Sequence, residues 1–426
     1  MRLNDADRTV FAPEVTKHHR EGPVINRRAA LGAAIASPFV LRVGRAWADA
    51  PGVSATEIKI GNTMPYSGPA SAYAPIGWFE TAFFKMVNEA GGVDGRNINF
   101  ITYDDGLSPP KTVEDVRRLV EEDGVAFLFG SLGTSTNSAV VDSLNRRKIP
   151  HLFIATGGSK FSDYKRYPWT IGFNPSYRTE AQVYAKYMRQ QNAATKLAIL
   201  YQNDDLGKDY LAGVRDVFGD SFEKTVVAAS YEVTDATIDS QISTLQASGA
   251  DTLLVAAIPK FAAQSIRKVH DINWKPVFFM SNISISVAAV LGPAGPEKAI
   301  GLISAGYLKD ATDPRFASDP GMQDWRAFMA KYLPAADLSD GNYVYAYSTC
   351  NTMMQVLRQC EGDFSRENVM RQAENIHDLE IPTFMPGIKL NTRPNEHRVI
   401  KALQPAKWDG KSWVRFGDLI EGVSES

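Results

Sequence analysis

Two rhythms alternate along this chain. Short apolar runs of strand length are followed by stretches in which apolar residues return every three or four positions, the period of a helix with one buried face. Ile58–Thr63 predicts a first strand, Ser67–Tyr73 a loop, and Phe79, Ala82, Phe83, Met86, Val87 and Ala90 a helix that Gly91 and Gly92 stop. Ile98–Tyr103 predicts the second strand, closing on Asp104 and Asp105. Pro109 or Pro110 opens the next helix, with Val113, Val116, Leu119 and Val120 on its inner face. Val125–Phe129 and Pro150–Ile154 are further strands, separated by a helix that carries Ala139, Val140 and Leu144. The alternation then restarts. Strands are expected at Lys196–Tyr201, Thr225–Tyr231, Thr252–Ala257 and Val277–Met280, with helices at Gly207–Phe218, Ile238–Ala247 and Phe261–Ile272 between them. A long helix, Tyr343–Cys360, and a β-rich tail ending in Trp408–Leu419 finish the chain. Such alternation predicts an α/β protein with open parallel sheets covered on both faces, in two domains of one class.

Ligands of such sheets sit beyond the carboxyl ends of the strands. The first candidate site is therefore the turn after Phe129. Gly130 and Gly133 break the strand, and Thr134–Asn137 supply helix-cap residues. A strand, a small-residue turn and a helix start present free N–H groups and the positive end of a dipole, which suits a carboxylate or phosphate. The pattern recurs after Ile154 as Ala155-Thr156-Gly157-Gly158-Ser159. Together the two turns would floor a small acidic ligand; equally, each would serve as an ordinary connection.

Composition narrows the picture. The 426 residues carry 46 Lys+Arg and 48 Asp+Glu. Arg27 and Arg28, a modest apolar run Ala29–Leu41 and a small-x-small site at Ala46-Trp47-Ala48 resemble a twin-arginine export signal. Removing Met1–Ala48, which holds 8 basic and 4 acidic side chains, leaves 38 basic and 44 acidic, a balance of −6. That balance gives no reason to expect nucleic acid or an anionic membrane as partner. Cys350 and Cys360 lie on one helical pattern about 15 Å apart, beyond disulfide reach, and are expected as two buried thiols.

In order and spacing, several blocks make the chain similar to periplasmic solute-binding proteins of the leucine/isoleucine/valine type. They are Ile60-Gly-Asn-Thr-Met-Pro-Tyr-Ser-Gly-Pro69, Val87-Asn-Glu-Ala-Gly-Gly-Val-Asp-Gly-Arg96, Tyr103-Asp-Asp105 with Pro110-Lys111, the Gly130–Asn137 turn, and Tyr201-Gln-Asn-Asp-Asp-Leu-Gly-Lys208. The resemblance implies the type I periplasmic-binding fold: two Rossmann-like lobes with parallel sheets, joined by a three-strand hinge that closes on ligand. Lobe I would be 54–172 plus 306–384, and lobe II 173–305 plus 385–426. The family's carboxylate-binding groups fall at Thr134, with Ser135 beside it, and at Gly157, Gly158 and Ser159. Its mouth aromatic matches Tyr73. Two departures stand out. The acid that pairs with an amino acid's ammonium falls at Ile283, and the lobe II tyrosine that shares this work falls at Ile258. A buried ammonium left unpaired costs on the order of 3–5 kcal/mol, or two to four powers of ten in affinity. The family's lobe I disulfide is also missing, with Leu107 and Gly133 in its place.

Other polar groups read less sharply. Asp104 and Asp105 fit turn caps. Asp204 and Asp205 end a strand, and Asp205 is a candidate ligand contact. Tyr343, Tyr345 and Tyr347 line the cleft or pack lobe I. Arg178 is either a clamp for a second acid group or, with Glu180, part of a solvated helix start. His151, His270, His377 and His397 show no metal spacing, and no cofactor is expected. No nucleophile elbow, zinc-protease or phosphate-loop motif is present to suggest an enzyme. The expected protein is an exported, periplasmic, monomeric receptor. It takes a small carboxylate without an α-amino group and delivers it to an ABC permease. A branched-chain amino-acid receptor and a soluble sensor of the same fold are the alternatives.

Overall fold

A computed structural model describes residues 50–422. The export signal expected at 1–48 lies outside the described residues. The first sheet has five parallel strands: β1 (Glu57–Met64), β2 (Asn97–Asp104), β3 (Phe127–Phe129), β4 (His151–Ile154) and β5 (Thr170–Gly172), in the order β2-β1-β3-β4-β5. Three helices cross between these strands: α1 (Ala74–Glu89), α2 (Pro109–Glu121) and α3 (Thr134–Arg146). β3 and β4 are buried along their whole length. Strands covered on both faces need no polar alternation, which is why they read as unbroken apolar runs.

The second sheet contains β6 (Leu197–Gln202), β7 (Val226–Tyr231), β8 (Thr252–Ala256), β9 (Val277–Met280) and β10 (Ile303–Gly306), all paired in parallel. The tail then adds β11 (Ala402–Trp408), β12 (Trp413–Arg415) and β13 (Ile420–Glu421) as antiparallel strands. The parallel sheet expected here therefore has an antiparallel edge: the chain leaves β10, passes through three α-helices and returns as β11 in the opposite direction, and a short hairpin then adds β12. Helix α5 (Asp205–Phe218) follows β6, and α4 (Tyr177–Gln191) packs against it.

Several elements fall outside the pattern read from the sequence: β5, α4, β10, and the helices Pro320–Tyr332 and Arg366–Ala373. Helix α4 shows why. It buries Tyr177, Thr179, Glu180, Gln182 and Tyr184 beside small alanines, so its inner face does not look apolar. Its N-cap is clear in the structure, where Ser176 Oγ accepts from the Thr179 N–H. Cys350 and Cys360 are both buried and free, as expected. Among the described residues no helix is long and apolar enough to cross a membrane.

Candidate functional site

The carboxyl ends of both sheets open onto one cavity of about 140 Å³. From the first sheet come Leu132, Gly133, Thr134 and Ser135, with Leu107 from the loop after β2 and Tyr73 from the end of a 3-10 helix, Gly68–Tyr73, where a loop was expected. The second sheet contributes Gln202, Ile258, Ile283 and Arg415. Between them Tyr345 leans in from the long helix Gly341–Gln359, its hydroxyl donating to Asn174 at 2.8 Å.

The turn before α3 is built to leave donors open. Gly133 sits at φ 108°, a conformation that a side chain strongly disfavours. A Cβ there would also come within 2.4 Å of Thr136 Oγ1 and 2.7 Å of Leu107 Cδ1. No side chain caps α3 at this residue, so the helix start faces the cavity without an internal acceptor. Behind it, the Thr134 and Thr156 hydroxyls hydrogen-bond each other at 2.8 Å. Tyr177 closes the same corner. Burial pushes its hydroxyl up to about 12, against the opposing hydrogen bonds of Gly157, Thr156 and Thr134.

Of the residues expected from sequence, Tyr73, Thr134, Ser135, Ile258 and Ile283 line this cavity. Gly157, Gly158, Ser159 and Asp205 lie off its wall. The two glycines back the site: a Cβ on Gly157 would meet the Tyr177 ring at 2.7 Å, and one on Gly158 would meet the Phe161 ring at 2.9 Å. Ser159 and Asp205 instead join the two sheets' ends at the mouth. Ser159 donates its N–H and hydroxyl to Asp209 at 2.6 and 2.7 Å, and Lys160 pairs with Asp205 at 2.8 Å. Burial works against the charge of Asp205, but Lys160 and Ser138 outweigh it and hold the carboxyl below its usual range. Tyr73 adds a third strap, its hydroxyl donating to the Ile283 carbonyl at 3.0 Å.

The remaining polar candidates separate cleanly. Asp204 caps α5, accepting from the Leu206 N–H at 3.0 Å. Asp104 and Asp105 accept from the Gly106 and Leu107 N–H groups as turn caps. Tyr343 and Tyr347 pack on Phe79, leaving only Tyr345 of the three in the cavity wall. Arg178 pairs with Asp216 at 2.7 Å, away from the cavity. Glu180, by contrast, does not sit on a solvated helix start. Its side chain is fully buried, with Oε1 accepting from the Tyr184 hydroxyl at 2.6 Å and the Asn282 N–H at 2.7 Å. Helix α4 turns that face inward onto β9 and β10: a helix does start here, but it is not solvated on the Glu180 side.

Sequence reasoning also missed Asp310 and Arg415, both in the cavity wall. Asp310 is occupied: one oxygen accepts from the Thr312 N–H at 2.9 Å, the other from the Trp413 N–H at 3.2 Å. Arg415 had a usable signal. On β12 it stands two residues from the buried Trp413 with exposed Val414 between, so strand alternation turns it inward.

A cavity shared by the carboxyl ends of two α/β sheets, strapped across its mouth, defines a two-lobed ligand-binding receptor. The comparisons agree. Residues 57–412 match the periplasmic binding protein family model, and the chain belongs to that family. Its members are substrate-binding receptors that take small molecules and work with ABC-transporter permeases. Among curated relatives, the Leu/Ile/Val-binding protein homolog 7 of Brucella abortus (strain 2308) is 23% identical over 390 residues, covering 87% of this chain and 94% of that one. Two solved structures share the fold. One is a branched chain amino acid ABC transporter protein from Thermus thermophilus with bound valine (TM-score 0.77, 16% identity, 87% and 98% of the two chains). The other is a fatty acid ABC transporter substrate-binding protein from Thermomonospora curvata (TM-score 0.75, 20% identity, 88% and 95%).

Proposed function

We propose that this protein is an exported solute receptor of an ABC importer whose ligand is a small aromatic or aliphatic carboxylate without an α-amino group. The observation that carries the reading is the pairing of an uncapped α3 start with isoleucines at positions 258 and 283 in one cavity. A carboxylate at Thr134 and Ser135 would accept backbone N–H groups at the positive end of the helix. Ile258 and Ile283 then meet the body of the ligand with apolar surface and offer an ammonium nothing. Asp310 is the acid in the wall, held in place by donors from Thr312 and Trp413 and away from positions 258 and 283 in the sequence. The size also fits: a cavity of about 150 Å³ accepts a benzene ring, close to the 140 Å³ here.

In this reading lobe I is 54–172 plus 306–384 and lobe II is 173–305 plus 385–426, with export by a signal cleaved near Ala48. Capture would bury the ligand as Asp209 and Asp205 meet Ser159 and Lys160 across the mouth. Contacts that exist only when the cleft is shut let binding favour closure. An amino-acid ligand is the second reading, supported by the name of the Brucella relative and by the valine in the Thermus structure. It would need Asp310, the acid in the cavity wall, to answer the ammonium alongside its present donors. The fatty-acid protein from Thermomonospora supports the acid reading instead.

A thermal-shift screen of matched pairs separates the two. Benzoate- or hexanoate-sized acids are expected to raise Tm more than leucine or valine at equal concentration. A clear preference for the amino acids would reject the assignment of Ile258 and Ile283 as the wall facing the ligand.

A further inference from the structure

We propose that the ligand carries a second acidic group received by Arg415, so that the site takes a small diacid in preference to a monoacid. The proposal rests on the α3 turn holding the first carboxylate, as proposed above. Arg415 lies in the cavity wall on β12, and its guanidinium lies over Gly306 of β10. A Cβ at position 306 would come within 2.7 Å of Nη1 and 2.9 Å of Nη2, so the glycine leaves the space the guanidinium occupies. Nη2 donates to the Leu308 carbonyl at 2.9 Å and Nη1 to the Gln404 carbonyl at 3.3 Å. Nε is buried with no acceptor. A guanidinium has five N–H donors in a planar fork, and two are used.

The acids nearby are engaged elsewhere. Asp313 grips Arg315 at 2.6 Å, and Asp319 holds Lys309 at 2.7 Å. Asp310 accepts from Thr312 and Trp413. It and Asp313 act on Arg415 through space, but among the described residues no carboxylate stands within ion-pair distance of the guanidinium. A buried cation whose acids stand off gains from one in direct contact. A carboxylate supplies it with two parallel N–H···O bonds, the geometry the fork favours. With one acid group at α3 and the other at Arg415, the ring-sized apolar space would hold the ligand's middle.

The test is calorimetric titration of matched pairs, adipate against hexanoate and terephthalate against benzoate, into the full mature chain. Three proteins are compared: wild type, Arg415→Met and Thr134→Val. The wild type is expected to bind at least one diacid ten-fold or more tighter than its monoacid partner. Arg415→Met should erase that advantage, bringing the diacid and monoacid of each pair to within about two-fold of each other. Equal binding of diacid and monoacid by the wild type, or no binding of any diacid, overturns the proposal, and neither depends on a variant folding. An unchanged ratio in Arg415→Met also overturns it, once its melt shows a folded protein. Thr134→Val reports on the underlying reading separately. It should weaken monoacid and diacid alike, and no change in either would remove the α3 turn while leaving the role of Arg415 to stand on the ratio.

Discussion

Replacing Ile283 with Asp is expected to reverse the order of ligands, bringing leucine up by two or more powers of ten while the plain acids weaken. The argument starts from what the wild-type wall lacks. Ile283 lines the cavity as a hydrocarbon, and its carbonyl already accepts the Tyr73 hydroxyl. An ammonium placed against it gives up water for nothing, at a cost on the order of 3–5 kcal/mol. A carboxylate in its place removes that penalty, and each 1.4 kcal/mol is about a factor of ten. The same carboxylate repels a ligand that offers only negative charge or grease. Ile283→Asn separates the two contributions, since it is polar and of similar size to Asp but carries no charge. Leucine affinity should rise in the Asp variant and stay flat in the Asn variant. If neither moves by calorimetry, the ligand's far end does not approach position 283 and the proposed binding pose is wrong.

How far the chain could be read in advance depended on where its signals come from. Strands β3, β4, β6 and β8 announced themselves, because parallel strands buried on both faces read as apolar runs. Strands β1, β2, β7 and β9 are less buried and were read from runs of strand length. Helix α4 did not, since its inward face is built from tyrosines, Glu180 and Gln182 held by hydrogen bonds, a code that periodicity of apolar residues cannot see. The cavity shows the same split. The α3 turn was visible as glycine and hydroxyl residues at a strand end. Asp205 and Ser159 carried the same local signature, yet the structure places them at the mouth, where Lys160 and Asp209 meet them from the opposite sheet's end. Only the relative placement of two sheets decides that, and no local pattern encodes it. Arg415 illustrates the reverse case. Its local signal, two residues beyond a buried tryptophan, was present, but that it faces Gly306 depends on β11 and β12 folding back beside β10.

The mouth contacts and the cavity are coupled through these placements. Helix α5 carries Asp205 and Asp209, and Leu206 on the same turn reaches the cavity. A ligand that fills the cavity therefore supports, through Leu206, the turn that holds the straps. Closure need not be driven by the charge pairs, which at 31% and 42% side-chain exposure for Lys160 and Asp205 contribute little by themselves. They set the register in which the two ends meet.

The second large effect is on stability, and its readout is pH. Glu180 is fully buried, and burial pushes its carboxyl from 4.5 up to about 7, against the opposing pull of Tyr184 and the Asn282 N–H. The folded protein therefore holds this proton more tightly than the unfolded chain. The contribution of Glu180 is fully present below about pH 4.5 and is lost as pH rises toward 7. The loss amounts to roughly 3 kcal/mol at pH 8, from about 1.4 kcal/mol for each unit of difference. Glu180→Gln removes the titration and keeps an oxygen for Tyr184 and Asn282. Its amide puts a donor where Oε2 has no partner, which costs about 1–3 kcal/mol at every pH. The slope, not the absolute value, is therefore diagnostic. Between pH 5 and pH 8 the difference in unfolding free energy, variant minus wild type, should move by about 2.5 kcal/mol in the variant's favour, the rest of the change falling below pH 5. Glu80 and Asp105, whose carboxyls burial also raises, bend both curves alike and cancel from that difference. Parallel denaturation curves across the range would mean that Glu180 is already ionised in the folded protein. That carboxylate accepts from the Asn282 N–H, one residue before Ile283, and would add a second negative charge, besides Asp310, near that wall.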